Sequence, residues 1–377
     1  MKKLKNILNQ MLHDPVLLVA WILAIASSFF IHPDKQYLEY IDFRSLGILW
    51  GLMIVIQGYR ENSLFEKTGE ILLKKVNNGF QLGIVLVFMC FFGSMLITND
   101  VALITFVPFA IMTLSGCGRT DLMIPVIVLQ TVAANLGSML TPVGNPQNLY
   151  MYSLTGMGIG EFLATMFPYT LLTAILLLIS ICFLPGKKEK LTNNKENQQV
   201  IKSFGTPLQL TVYSILFVVA LLTVLRVVPY QIMVAIILVV VAILDGKILL
   251  RADYMLLITF VGFFIFTGNI GRIPAIKDFL SEIVYQKEFY ISIITSQFIS
   301  NVPATLMLSD FAGDYKELML GVNVGGLGTL IASMASLISF KLFSNDFKEQ
   351  RLKYVLTFTA VNLIFLVILI ALHLLIA

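Results

Sequence analysis

Ile97-Thr98-Asn99-Asp100-Val101 and Ile299-Ser300-Asn301-Val302-Pro303 are two short polar tips, each set between apolar arms. Polar breaks at bilayer depth persist only where they are buried in protein or line a cavity. A second pair of polar breaks follows them. Asn135-Leu136-Gly137 leads to Thr141-Pro142-Val143-Gly144-Asn145-Pro146-Gln147-Asn148, and Asn323-Val324-Gly325 leads to Thr329, Ser333 and Ser336. A tip and a broken span, each occurring twice in the same order, predict a chain built by duplication around a central site.

The surroundings of these breaks are membrane-like. Of 377 residues, 58% are hydrophobic and 13% charged, and the mean hydropathy is +0.87. Soluble domains carry about 25% charged residues. Runs long enough to cross a bilayer fall at 15–31, 42–59, 120–155, 159–184, 208–226, 229–246, 253–270, 318–343 and 352–376. The runs 120–155 and 318–343 are interrupted. The arms 80–98 with 101–113, and 288–299 with 303–310, flank the tips. The runs lack the dyad alternation of barrel strands. The predicted fold is therefore an all-α integral membrane protein, an inverted-repeat transporter of about nine spans, two interrupted, plus two re-entrant hairpins, 80–113 and 288–311. Two full spans at 80–113 would give the same sidedness.

Basic residues set the expected orientation. Lys2, Lys3 and Lys5, and the basic linker 186–206, are placed in the cytoplasm, which makes 1–185 the first repeat and 207–377 a connector span with the second. The start of the chain resembles a signal peptide, but 15–31 is long for one and is read as an uncleaved first span. On this reading Arg272, Lys277 and Lys287 fall outside, interleaved with Asp278, Glu282 and Glu288 in an amphipathic interfacial helix. The C-terminus falls outside as well. The net charge of +4 is accounted for by loop lysines and arginines and calls for no nucleic acid.

The halves align in three segments. Asp42 and Gly51 match Asp253 and Gly262 at an offset of 211. Ser94, Ile97, Asn99 and Phe109 match Ser296, Ile299, Asn301 and Phe311 at 202. Asn135, Gly137, Thr141 and Leu149 match Asn323, Gly325, Thr329 and Leu337 at 188. Kept order, shrinking offset and opposite expected polarity are the marks of inverted repeats.

Asn99 and Asp100, Asn145 and Asn301 are read as N-caps of returning half-helices, with Pro303 and Pro146 suited to the first turn. Each half-helix N-terminus carries about half a positive charge and forms an anion site. The unwound carbonyls and polar side chains beside them suit Na⁺ or a polar substrate. Asp100 is the one formal charge at a tip, opposite Val302 in the other half, and is assigned to coupling a cation or proton. Cys90, Cys117 and Cys182 have no metal-ligand spacing and are expected as small buried residues. His13, His32 and His373 are expected at the interface. No nucleophile–base pair or metal cluster marks an enzyme.

Thr141 to Leu149, with Ser300 to Ala304 and Thr329 to Leu337, resembles the ion transporter superfamily. That group holds divalent anion–sodium symporters, arsenite/antimonite permeases, Na⁺/H⁺ antiporters and the P-protein type. The resemblance covers essentially the whole chain. It implies tip-in hairpins around a small anionic substrate, a carboxylate or an inorganic oxyanion, with Na⁺ or H⁺ as coupling ion and no resident cofactor beyond that. It also implies elevator-type movement and a homodimer in the cell membrane. By carry-over, Thr98, Asn99, Asp100, Thr141, Gly144, Asn145 and Asn148 form one site, and Ser300, Asn301, Pro303, Thr329, Ser333 and Ser336 the other. The dicarboxylate symporters carry Ser-Asn-Thr at both tips. Here the tips read Thr-Asn-Asp and Ser-Asn-Val, so arsenite/antimonite efflux and Na⁺/H⁺ exchange stay open beside anion symport.

Overall fold

The computed structural model describes residues 15–73, 76–186, 189 and 205–376. Lys2, Lys3, Lys5, Lys74, Lys75, Ala377 and most of the basic linker lie outside that range. The described residues are 82% helical, with no strand among them. Among them, eight helices have the length and apolarity to cross a membrane.

The first half runs α1 (Pro15–Ser28), α2 (Phe43–Glu61), α3 (Leu64–Leu73), α4 (Gly79–Ile97), α5 (Asn99–Gly116), α6 (Met123–Ser138), α7 (Pro146–Thr155) and α8 (Ile159–Cys182). After α9 (Pro207–Val224) the same order recurs. It runs α10 (Tyr230–Asp245), α11 (Tyr254–Gly271), α12 (Pro274–Val284), α13 (Glu288–Ile299), α14 (Asn301–Leu308), α15 (Tyr315–Val324), α16 (Met334–Asp346) and α17 (Arg351–Ile376). Two pairs of 3₁₀ turns also correspond, 35–38 with 248–251 and 120–122 with 309–311, while 330–332 and 348–350 occur in the second half alone among the described residues.

Local chemistry fixes the equivalence. α2 is capped by Asp42, whose carboxylate accepts from Ser45 N at 3.0 Å. α11 is capped by Asp253, which accepts from Leu256 N at 3.1 Å. The two caps share one backbone conformation, φ −76, ψ 82 and φ −77, ψ 80. α3 and α12 are the amphipathic pair. α12 is the interfacial helix expected around Lys277, and α3 is its counterpart, which hydropathy left unassigned. α1 and α10 have 14 and 16 residues as described, shorter than the runs 15–31 and 229–246. The chain leaves the first helix at Phe29, and Pro229 and Gly246 bound the second.

The helices pack in two groups. α1 lies along α11, and α10 and α9 lie along α2. Trp21 Nε1 ties the first pair by donating to Ile258 O at 3.2 Å. In the second group α4 packs on α6 and α13 on α15, with α5, α8, α14, α16 and α17 around them. The amphipathic α3 and α12 connect the groups. Close approach in the second group depends on glycine. A Cβ on Gly137 would lie 2.3 Å from Phe91 O, and one on Gly321 2.4 Å from Phe289 O.

Candidate functional site

The tips turn at Thr98 and Ser300, whose backbones are nearly identical, φ 67, ψ 151 and φ 73, ψ 153. Residues other than glycine rarely occupy this region, and holding one there costs about 1–3 kcal/mol. The helix restarts at Asn99 and Asn301, so these are first-turn residues and not the caps expected from sequence. Thr98 and Ser300 hold the cap positions without a side-chain capping bond.

Each tip meets the middle of a broken helix. Asn99 N donates to Gly144 O at 3.0 Å, and its amide donates to Asn135 Oδ1 at 3.1 Å. Thr141 Oγ1 donates to Met95 O at 2.5 Å, and the repeat-equivalent Thr329 Oγ1 donates to Gln297 O at 3.1 Å. The break from 139 to 145 is tight: a Cβ on Gly144 would sit 2.0 Å from Ser138 O. Asn145 then caps α7 as expected, accepting from Asn148 N at 3.1 Å, with Pro146 in the first turn.

The two broken helices clasp each other reciprocally. Asn135 accepts from Ser333 Oγ at 2.9 Å and donates to Ser336 Oγ at 3.1 Å. Asn323 accepts from Asn145 at 3.1 Å and donates to Asn148 at 2.6 Å. The offset of 188 that relates Asn135 to Asn323 also relates Asn145 and Asn148 to Ser333 and Ser336. All six side chains are buried.

A cavity of about 280 Å³ lies where the two helix groups meet. Thr98, Asp100, Asn145, Pro146, Val302 and Pro303 form one wall, and the other is built from α2 and α11. It reaches the helix ends at Gln57, Arg60, Arg251 and Asp253. Most other lining residues are apolar, such as Leu49, Leu52, Phe260 and Met334. Arg251 forms an ion pair with Glu61. Among the described residues no three His, Cys, Asp or Glu side chains could together hold a metal.

Of the residues singled out in the sequence, Thr98, Asp100, Asn145 and Pro303 line the cavity. Asn148, Ser333 and Ser336 are in the clasp, Asn99 joins it through Asn135, and Thr141 and Thr329 tie breaks to hairpin arms. Gly144 holds the first break closed. Ser300 and Asn301 meet each other, Oγ to Oδ1 at 3.4 Å. Sequence reading missed Arg60 and Arg251 as cavity residues, although their adjacency to the capped helix ends was visible. It also missed Gln147, 1% exposed, with both amide atoms unpartnered. His373, in the last turn of α17, is buried, 2.8 Å from the Tyr169 hydroxyl and 3.2 Å from Glu317 Oε2, and stacked at 3.6 Å on Phe289. Its polar edges are satisfied there, which allows a near-terminal histidine to leave water. Of the cysteines, Cys90 is buried and Cys182 exposed.

A helical membrane protein with two polar tips, two broken helices and a cavity between two helix groups is a membrane transporter. Residues 7–314 match the family described as "Citrate transporter", and the chain belongs to that family within the ArsB-like ion transporter superfamily. It is 31% identical to the transporter MJ0456 of Methanocaldococcus jannaschii over 85% of this chain and 86% of that protein. It is 30% identical to the inner membrane protein YbiR of Escherichia coli, over 86% of each chain. A transporter from Dictyostelium discoideum named arsB matches at 26% over 46% of this chain and 30% of its own length.

Proposed function

We propose that the protein is a secondary active transporter of a small anion, a carboxylate or an inorganic oxyanion, coupled to H⁺ or Na⁺ through Asp100. The observation that carries this is the cavity. Its tip wall presents Asp100 and the N-terminus of α7, and its far end presents Arg60 and Arg251. A helix N-terminus and the Arg60 guanidinium favour an anion, while Arg251 is already paired with Glu61. An ionised Asp100 opposes one, so substrate and coupling cation favour each other's binding. The family description points to a carboxylate.

The two packing groups supply the moving parts. One, with α1, α2 and α9–α11, is a scaffold. The other carries both tips and both breaks past it, with α3 and α12 as flexible connections, in an elevator cycle. The positive-inside reading puts Arg60 and Arg251 at a cytoplasmic mouth, and YbiR's name supports a plasma-membrane location. Arsenite or antimonite export is the second reading, favoured by the mostly apolar lining and the arsB-named relative.

Uptake by proteoliposomes of the purified protein tests this. Citrate, succinate or sulfate should accumulate under an imposed H⁺ or Na⁺ gradient, and Asp100→Asn should lose that acceleration. Anion uptake by Asp100→Asn with unchanged dependence on both gradients would remove Asp100 from coupling. Arsenite flux in place of anion flux would select the second reading.

A further inference from the structure

Unwound carbonyls are the expected seats for alkali cations in a fold of this kind, and in each half of this chain a side-chain amide already faces them. In the first half Asn148 Nδ2 points at three carbonyl oxygens of the break, Ser138 O at 3.4 Å, Met139 O at 3.1 Å and Thr141 O at 3.2 Å. In the second half Gln297 Nε2 points at Ile293 O at 3.1 Å, Gly325 O at 3.0 Å and Leu327 O at 3.0 Å. The other end of each amide is fixed. Asn148 Oδ1 accepts from Asn323, and Gln297 Oε1 accepts from Thr329 N at 2.9 Å. These bonds settle which amide end faces the carbonyls.

The two amides are not copies of one ancestral residue. Met139 and Leu327 are equivalent by the offset of 188, so the two amides share one repeat-equivalent carbonyl and differ in the other two. Asn148, however, corresponds to Ser336, and Gln297 corresponds to Met95 by the offset of 202. One amide reaches its cage from beyond the break and the other from the arm before the tip. Neither Ser336 nor Met95 carries an amide. In each half an unrelated amide donates to the carbonyl of the same repeat position, Met139 O in one and Leu327 O in the other.

We propose that Asn148 and Gln297 are built-in occupants of the two cation positions, and that they make the transport cycle independent of Na⁺. This rests on the transporter reading and narrows its coupling ion. For an alkali ion to enter, an amide must first give up the three hydrogen bonds it donates to these carbonyls. Coupling then falls to Asp100, the carboxylate on the tip wall of the cavity.

The test is a Na⁺ series on the purified full-length protein at constant ionic strength, with choline replacing Na⁺ and thermal unfolding as readout. The wild-type Tm should stay flat. Gln297→Glu puts a carboxylate oxygen where the amide nitrogen sits, turning the cage into four oxygens with a negative charge. Its Tm should climb by a constant step with each tenfold rise in Na⁺ beyond saturation. A wild-type Tm that climbs with Na⁺ overturns the proposal, as does a folded Gln297→Glu that ignores Na⁺. If Gln297→Glu does not fold, Asn148→Asp is the second variant, and the wild-type series decides by itself. Na⁺ binding by the wild type would sink this assignment and leave anion transport standing. Absence of anion uptake would do the reverse.

Discussion

Gln147 shows how much one side chain is asked to bear. A buried amide with neither end bonded costs about 1–3 kcal/mol per orphaned group, and nothing among the described residues relieves it. Gln147→Met keeps the shape and removes the orphan. We expect that variant to unfold at higher temperature than the wild type, measured by thermal denaturation. An unchanged or lower Tm would mean that the orphaned amide carries no cost. Thr98 and Ser300 carry a comparable burden in their backbones, and their matching angles show that both halves keep it. At this scale the sequence was partly legible. Thr98, Asp100, Asn145 and Pro303 stood out because polar or helix-breaking residues are conspicuous in apolar arms. Gln297, Gln147 and Arg60 did not, because a glutamine in an ordinary helical run, or an arginine at a span end, has many bland explanations until its neighbours are known. The burial of His373 was illegible for the same reason: its partners lie 204 positions away at Tyr169 and on a separate helix at Glu317.

Among elements, the clasp between the broken helices is a reciprocal polar tie between the two halves. Asn323→Ala leaves Asn145 and Asn148 each short of a partner, and Asn135→Ala does the same to Ser333 and Ser336. Each change should cost about 2–4 kcal/mol as the sum of the unsatisfied groups. The two losses should not add, because both remove the one contact that holds the break regions together. A coupling energy of about 0.5 kcal/mol or more in a double-mutant cycle, read from denaturation in detergent, checks this. Strict additivity would mean that the two halves of the clasp act separately. The breaks were legible from Asn-x-Gly patterns and the offset of 188. The cross-pairing was not, since an offset shows which residues are equivalent and says nothing about which ones touch. The hairpins differ more than their aligned tips suggest, with arms of 19 and 18 residues in the first half and 12 and 8 in the second.

At the level of the whole molecule, each half lends its first helix to the other, α1 to α11 and α10 to α2. A gene split within the basic linker should therefore yield two fragments that are unstable alone and form a transport-competent pair when co-expressed. Antibody detection of each fragment with and without its partner, together with uptake, reads this out. A first fragment that accumulates and stays monodisperse alone would contradict the exchange. The all-helical membrane fold and the order of its elements could be read from hydropathy and the three offsets. The exchange could not, because hydropathy carries no information about which helix lies beside which.

That exchange has a kinetic side. The Trp21–Ile258 contact joins residues 237 positions apart. At synthesis rates of about 5–20 residues per second, α1 waits about 10–50 s in the bilayer before its partner leaves the ribosome. The first helix to enter the membrane is thus among the last to be packed, and the cell's insertion machinery has to shelter it for most of the time the protein takes to make.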